Sequence, residues 1–181
     1  MRHYVMQIDS LNVANKQLRE ENAKVTQRYR EVAQTASQLK QEREELTEKV
    51  TLAAKLDAVG IVVTPIDSRG KTAKKIKKTD KIKITFSIAK NVTAEVGEKY
   101  IYARIVKPDG DVLVKDRADV FPFEDREINY SCRKLIEYTG EELNDVTMYW
   151  AVEEFLYPGE YRVDIFADNY MIGTRSFTLK Q

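Results

Sequence analysis

The stretch LNVANKQLREENAKVTQRYREVAQTASQLKQEREEL, residues 11–46, decides how this chain must be read. Leu11, Leu18, Val25, Val32, Leu39 and Leu46 recur at every seventh position, and Tyr4 and Ala53 extend the row in both directions. With these taken as d positions, the a positions are Met1, Ile8, Asn15, Asn22, Tyr29, Ala36, Arg43 and Val50. Positions b and c carry mostly charged or small polar side chains. A hydrophobic repeat of 3.5 residues sustained over this many turns is the pattern of a coiled coil, because it keeps one apolar stripe facing a partner helix. The alternative is a lone amphipathic helix lying on its own globular neighbour. A helix over residues 1–59 would be about 85 Å long at ~1.5 Å per residue. No small domain spans that length, and each bare apolar side chain would forgo roughly 1.5–3 kcal/mol of burial. The chain is therefore expected to pair with copies of itself through Ile8, Leu11, Asn15, Leu18, Asn22, Val25, Tyr29, Val32, Leu39, Leu46 and Val50.

The a row refines this. Asn15 and Asn22 occupy successive a layers, where a polar residue lowers stability but favours two strands in register. Such layers also occur in trimers, so a parallel homodimer is favoured and a trimer stays open. Arg43 is tolerable at an a position if its stem packs and its guanidinium reaches water. The g-to-e′ pairs contain no opposite-charge match, so salt bridges do not select the partner. Within one chain, Glu20–Lys24 and Glu45–Lys49 are well-oriented i,i+4 pairs. The repeat is in phase from the first residue, with no N-cap before it, so an upstream continuation is expected. Leu52, Leu56 and Val59 keep helical spacing on a different face, so the last turns should leave the partner and dock on the following domain. Gly60 would then close the helix in the left-handed conformation.

Composition divides the chain at that point. None of the 7 glycines or 4 prolines precedes Gly60. Beyond it the sequence turns to Val, Ile, Tyr, Phe and Thr punctuated by turn residues, which is strand composition. The expected domains are a coiled-coil helix over 1–59 and a β domain over 60–181. Lys81–Lys90 alternates cleanly, with Ile82, Ile84, Phe86 and Ile88 on one side. Other strands are expected at Gly60–Ile66, Lys99–Val106, Val112–Lys115, Val120–Phe123, Glu127–Cys132, Val146–Val152, Glu160–Ala167 and Ile172–Leu179. About seven to nine short strands with no helix between them point to an all-β immunoglobulin-like sandwich. Leu156-Tyr157-Pro158-Gly159-Glu160-Tyr161 has the layout of a tyrosine corner, in which a phenol bonds back to the backbone before it.

Charge and rare residues narrow the function. The 181 residues hold 30 Lys+Arg and 29 Asp+Glu, a net charge of +1. That balance excludes a binder of nucleic acid held by bulk charge, and no nucleic acid is expected as a partner. With 1 His and 1 Cys, a Cys/His zinc site or a disulfide framework within one chain is excluded. No cofactor, metal ligand or catalytic residue is expected, and an enzyme is not the reading. Cys132 reads as a small core residue and His3 as a surface residue of the coil.

Two local features remain. Lys71, Lys74, Lys75, Lys77 and Lys78 form a basic run offset by Asp80, a candidate patch for an anionic ligand. The competing reading is a solvated loop beside edge-strand lysines that discourage sheet-to-sheet association. Tyr100 and Tyr102 share the face opposite Ile101, Ala103 and Ile105, a candidate exposed aromatic surface for a protein or a sugar. An acidic stretch, with no Lys or Arg between Lys134 and Arg162, matches no calcium loop.

Four stretches, Glu48–Pro65 (EKVTLAAKLDAVGIVVTP), Lys81–Ile88 (KIKITFSI), Glu98–Leu113 (EKYIYARIVKPDGDVL) and Glu160–Lys180 (EYRVDIFADNYMIGTRSFTLK), resemble a group of Bacteroidetes proteins of unknown function. These join a coiled coil to an Ig-like β-sandwich and are often labelled chromosome-segregation or SMC-like. The sequence holds no Gly-rich phosphate loop that would support an ATPase head. The resemblance implies an upstream anchor and a location at the cell envelope or periplasm, against a cytoplasmic alternative. The expectation is thus a non-enzymatic structural or interaction protein that dimerises by a coiled coil and displays β-sandwich heads to an unknown protein or glycan partner. Its alternative is a ligand-binding module whose head recognises an anionic or carbohydrate partner.

Overall fold

The computed structural model describes residues 2–73 and 75–181, with side chains from Met6 onward. The chain is one long helix followed by a β-rich region of antiparallel sheets. It divides into two compact units, Met1–Val50 and Thr51–Gln181.

Helix α1, Arg2–Ala53, runs for 52 residues without a break. No glycine or proline interrupts it, and Ala, Gln, Glu, Lys, Arg and Leu supply the propensity. Along its surface Gln27 donates to Glu31 at 3.0 Å and Lys40 lies 3.9 Å from Glu44. The expected pairs Glu20–Lys24 and Glu45–Lys49 do not close. At exposed positions the entropy of holding two long side chains together cancels most of the Coulomb gain.

The helix stops at Ala53, six residues before the expected end. The side-chain amide of Asn91 donates to the carbonyls of Ala53 and Lys55, at 2.8 and 2.9 Å. Its own oxygen accepts the N–H groups of Thr93 and Ala94. One side chain thus satisfies carbonyls that the helix end leaves open. Leu56 does dock in the β core, 2% exposed, but from extended chain. Gly60 is not a helix cap. It lies inside strand β1, Ala58–Ile66, with φ +64°, where the pairing register shifts between Val59 and Val62. The following Ile61-Val62-Val63-Thr64 run favours a strand, and the positive φ serves a bulge.

Beyond β1 come β2 (Lys81–Ile88), β3 (Gly97–Val106), β4 (Val120–Phe123), β5 (Arg126–Asn129), β6 (Cys132–Tyr138), β7 (Leu143–Ala151), β8 (Gly159–Ala167) and β9 (Tyr170–Leu179). They form three antiparallel sheets, ordered β1-β2-β7, β6-β3-β8-β9 and β4-β5. One core unites the first two. Ile82, Ile84, Phe86, Met148 and Trp150 come from one sheet, and Ile101, Ile105, Val163 and Ile165 from the other. A second, smaller cluster joins Phe121, Tyr130 and Phe166.

Three expectations need correction. A short 3-10 helix, Ile76–Lys78, sits between β1 and β2. Val112–Lys115 is not a strand: Val112 makes a single bridge to Val106, and the N–H of Leu113 reaches the carbonyl of Ile105. Glu127–Cys132 is divided at Tyr130-Ser131, where the hydroxyl of Ser131 accepts the N–H of Ile105 at 2.8 Å and the chain turns into β6.

Candidate interaction surfaces

The heptad residues Ile8, Leu11, Asn15, Leu18, Asn22, Val25, Tyr29, Val32, Leu39, Leu46 and Val50 all lie on α1 and are all exposed in the single chain. Leu11, for example, is 62% exposed. Met1, and the side chain of Tyr4, lie outside the described residues. Large apolar side chains at this spacing on an uninterrupted helix form an exposed apolar stripe, broken by Asn15, Asn22 and Arg43 at a positions.

The basic run occupies the connection from β1 to β2. Asp67 organises its first turn by accepting the N–H groups of Arg69 and Lys71, each at 2.9 Å. Further on, the N–H of Ile76 reaches the carbonyl of Lys180 at 3.0 Å, pinning the 3-10 helix to the end of the chain. Lys71, Lys75, Lys77 and Lys78 are exposed. None of the four has an ion-pair partner among the described residues; Lys74 lies outside them. The fold adds what the local sequence lacks. It brings the loop between β7 and β8 alongside, so that Lys75, Ile76 and Lys77 face Phe155, Leu156 and Pro158 across a cavity of about 420 Å³.

That second loop is rigidly held. The phenol of Tyr161 donates to the carbonyl of Tyr157 at 2.9 Å and accepts its N–H at 3.0 Å, forming the tyrosine corner. Phe155 and Tyr157 stand edge to face, 5.1 Å apart. The acidic residues of this stretch are already engaged: Glu153 lies 3.2 Å from Lys115 and Glu154 3.5 Å from Lys107. Burial works against the charge of Lys107, but Glu154, Asp109 and Asp111 outweigh it and hold its ammonium above the usual lysine range.

The expected aromatic ladder is only half present. Tyr100 is 46% exposed, with the guanidinium of Arg133 over its ring at 5.4 Å. Tyr102 is half-buried. The β4-β5 hairpin folds over it, stacking Phe121 on its ring at 4.3 Å. Phe121 also meets Phe166, which pairs directly opposite Tyr102 on β8. Two bulky aromatic residues side by side on a sheet leave an apolar face that the hairpin covers, so Tyr102 belongs to the second core. Sequence reasoning missed this because Phe121 and Tyr130 meet Tyr102 through tertiary folding alone.

Cys132 opens β6, and burial pushes its thiol up to about 12. It stays protonated and inert at physiological pH. Among the described residues, no group of three or more His, Cys, Asp or Glu side chains is placed to hold a metal ion. No described helix is long and apolar enough to cross a membrane.

A family model described as a domain of unknown function, DUF8428, matches residues 59–180. The chain belongs to that family. A second model, described as a coiled-coil region of unknown function, DUF8429, matches residues 1–44. The heptad-bearing segment is therefore a coiled-coil region joined to the DUF8428 domain. No curated protein matches the sequence. Among solved structures, the chain is similar to the Pseudomonas fluorescens alkylpurine DNA glycosylase AlkC bound to DNA containing an abasic site analog. The identity there is 15% and the TM-score 0.40, over 73% of this chain and 32% of that one. It is also similar to a Kluyveromyces marxianus beta-glucosidase, at 12% identity and TM-score 0.42, over 70% of this chain and 14% of that one. The chain thus spans well under half the length of either structure.

Proposed function

We propose that this protein is a non-enzymatic structural or interaction protein in which the coiled-coil segments of two chains pair in parallel and display two β units. One observation carries the reading: Leu11, Leu18, Val25, Val32, Leu39 and Leu46 recur at every seventh position, Ile8 and Val50 flank them at a positions, and all are exposed along a 52-residue helix. A second copy of the same row is its natural cover, because knobs from one chain enter holes of the other at the same spacing. Asn15 and Asn22 favour a parallel, in-register pair, since each then meets its own counterpart.

We read the β unit as an immunoglobulin-class sandwich. The sheets β1-β2-β7 and β6-β3-β8-β9 share one core, and the tyrosine corner at Tyr161 opens β8. Holding two weak heads together raises their joint affinity for a repeated partner through effective concentration alone.

Sedimentation equilibrium of the full chain tests the pairing. The expected result is a dimer at micromolar concentration, and a monomer for Leu18→Glu/Leu39→Glu, whose buried charges would split the stripe. A monomeric unmutated protein at tens of micromolar overturns the reading.

A further inference from the structure

Two loops far apart in sequence meet in the β unit and make a surface that neither announces alone. Lys75, Ile76 and Lys77, with Phe155, Leu156 and Pro158 and with Gln181 after β9, line a cavity of about 420 Å³. Its floor is apolar: Leu156 is buried in the core and Ile76 packs against that core. One wall is Phe155, 73% exposed and braced edge-on by Tyr157. Two ammonium groups, those of Lys75 and Lys77, stand at the cavity's border. Neither Lys75 nor Lys77 has an ion-pair partner among the described residues, while Glu153 and Glu154 of the facing loop are occupied by Lys115 and Lys107. Both loops are tied by hydrogen bonds: the N–H of Ile76 donates to the carbonyl of Lys180, and the phenol of Tyr161 accepts the N–H of Tyr157 and donates to its carbonyl. The cavity is thus pre-formed, and its volume lies within the range of about 300–1,000 Å³ usual for ligand sites.

We propose that this cavity binds a short acidic peptide segment presenting one apolar side chain between carboxylates. The apolar side chain enters against the exposed ring of Phe155 and the half-buried Ile76, above the buried Leu156, and covers apolar surface of the first two that water now wets. The flanking carboxylates meet the ammonium groups of Lys75 and Lys77, which gain counter-charges they otherwise lack. A concave site takes a protruding side chain. A lipid bilayer, the other polyanionic partner that lysines and an exposed phenylalanine would attract, offers a flat surface to loop tips. The inference names a class of partner for the displayed head, yet it stands on the β unit alone and does not depend on helix pairing.

The test is fluorescence anisotropy of the full chain with three labelled probes, Glu-Glu-Phe-Glu-Glu, Glu-Glu-Ser-Glu-Glu and Lys-Lys-Phe-Lys-Lys, alongside sedimentation with phosphatidylglycerol vesicles. The acidic phenylalanine peptide should bind with salt-sensitive affinity, and the other two should bind at least about tenfold more weakly. Lys75→Glu/Lys77→Glu and Phe155→Ser should each lower that affinity by about tenfold or more, with unchanged urea unfolding midpoints. Leu18→Glu/Leu39→Glu should leave the affinity per chain untouched, so failure of pairing and failure of the site are read separately. The proposal is overturned if the acidic phenylalanine peptide does not bind at about 1 mM, if the serine peptide binds equally, or if the lysine variant binds as the unmutated chain does. Vesicle sedimentation without peptide binding would reassign the surface to membranes.

Discussion

Tyr161 shows how much one side chain can fix. Its phenol both gives to and takes from the backbone of Tyr157, so the turn through Pro158 and Gly159 is closed by two hydrogen bonds. Tyr161→Phe removes both while keeping the ring in the core. The loss should be about 1–3 kcal/mol, because the N–H of Tyr157 is left without its partner. Urea unfolding followed by the fluorescence of Trp150 would measure it, and an unchanged midpoint would remove the corner as a stabilising device. The corner was legible because Pro-Gly before a Tyr that opens a strand has few other uses. Gly60 was misread for a related reason. A helix C-terminus and a β-bulge both call for positive φ, so the glycine announces a conformation without naming the element that needs it.

At the scale of elements, legibility followed one-sided burial. Strand β2 alternates in sequence because Ile82, Ile84, Phe86 and Ile88 are buried and the residues between them are not. Strand β6 was missed because Arg133, Lys134 and Leu135 at its start are all exposed, and Ile136 and Tyr138 supply its buried side chains. Both strands of the β4-β5 hairpin were expected, the second running on too far to Cys132, but the cover the hairpin gives Tyr102 depends on neighbours distant in sequence. Strands β1 and β9 meet through a close approach at Gly173. A Cβ there would lie 2.6 Å from Ile61 Cδ1, 3.0 Å from Ala58 Cβ and 3.1 Å from the carbonyl of Ala58. Ile61 could swing aside, but the Ala58 backbone could not. Gly173→Val should therefore cost about 1–3 kcal/mol as an overpacking change, read from the thermal or urea midpoint of the full chain. A neutral effect would show that β1 and β9 separate freely.

On the scale of the whole molecule, the two halves obey different grammars, and both were visible before any coordinates. The helical half was legible because a seven-residue repeat survives in any context. The identity of what touches the head was not, since a cavity between loops of unlike sequence leaves no periodic trace. The Asn layers make a testable prediction at this scale. Replacing both Asn15 and Asn22 by Ile should raise the melting temperature and broaden the distribution of oligomers, because apolar a layers no longer penalise alternative registers and strand numbers. Melting combined with sedimentation velocity would check this; a single unchanged dimer would show that these layers do not select the assembly. The proposed pairing would also expose the heads to a hazard. Two β units so tethered would experience a local concentration of about a millimolar, where an open strand border invites cross-chain pairing. Beside Gly60 the pairing of β1 is irregular between Val59 and Val62, and Ala58 and Ile61 lie against Gly173 of β9, so this border is not a straight run of open backbone groups. If the proposed pairing holds, Gly60→Ala should straighten this border and raise the tendency of paired heads to aggregate, which light scattering on prolonged incubation would read.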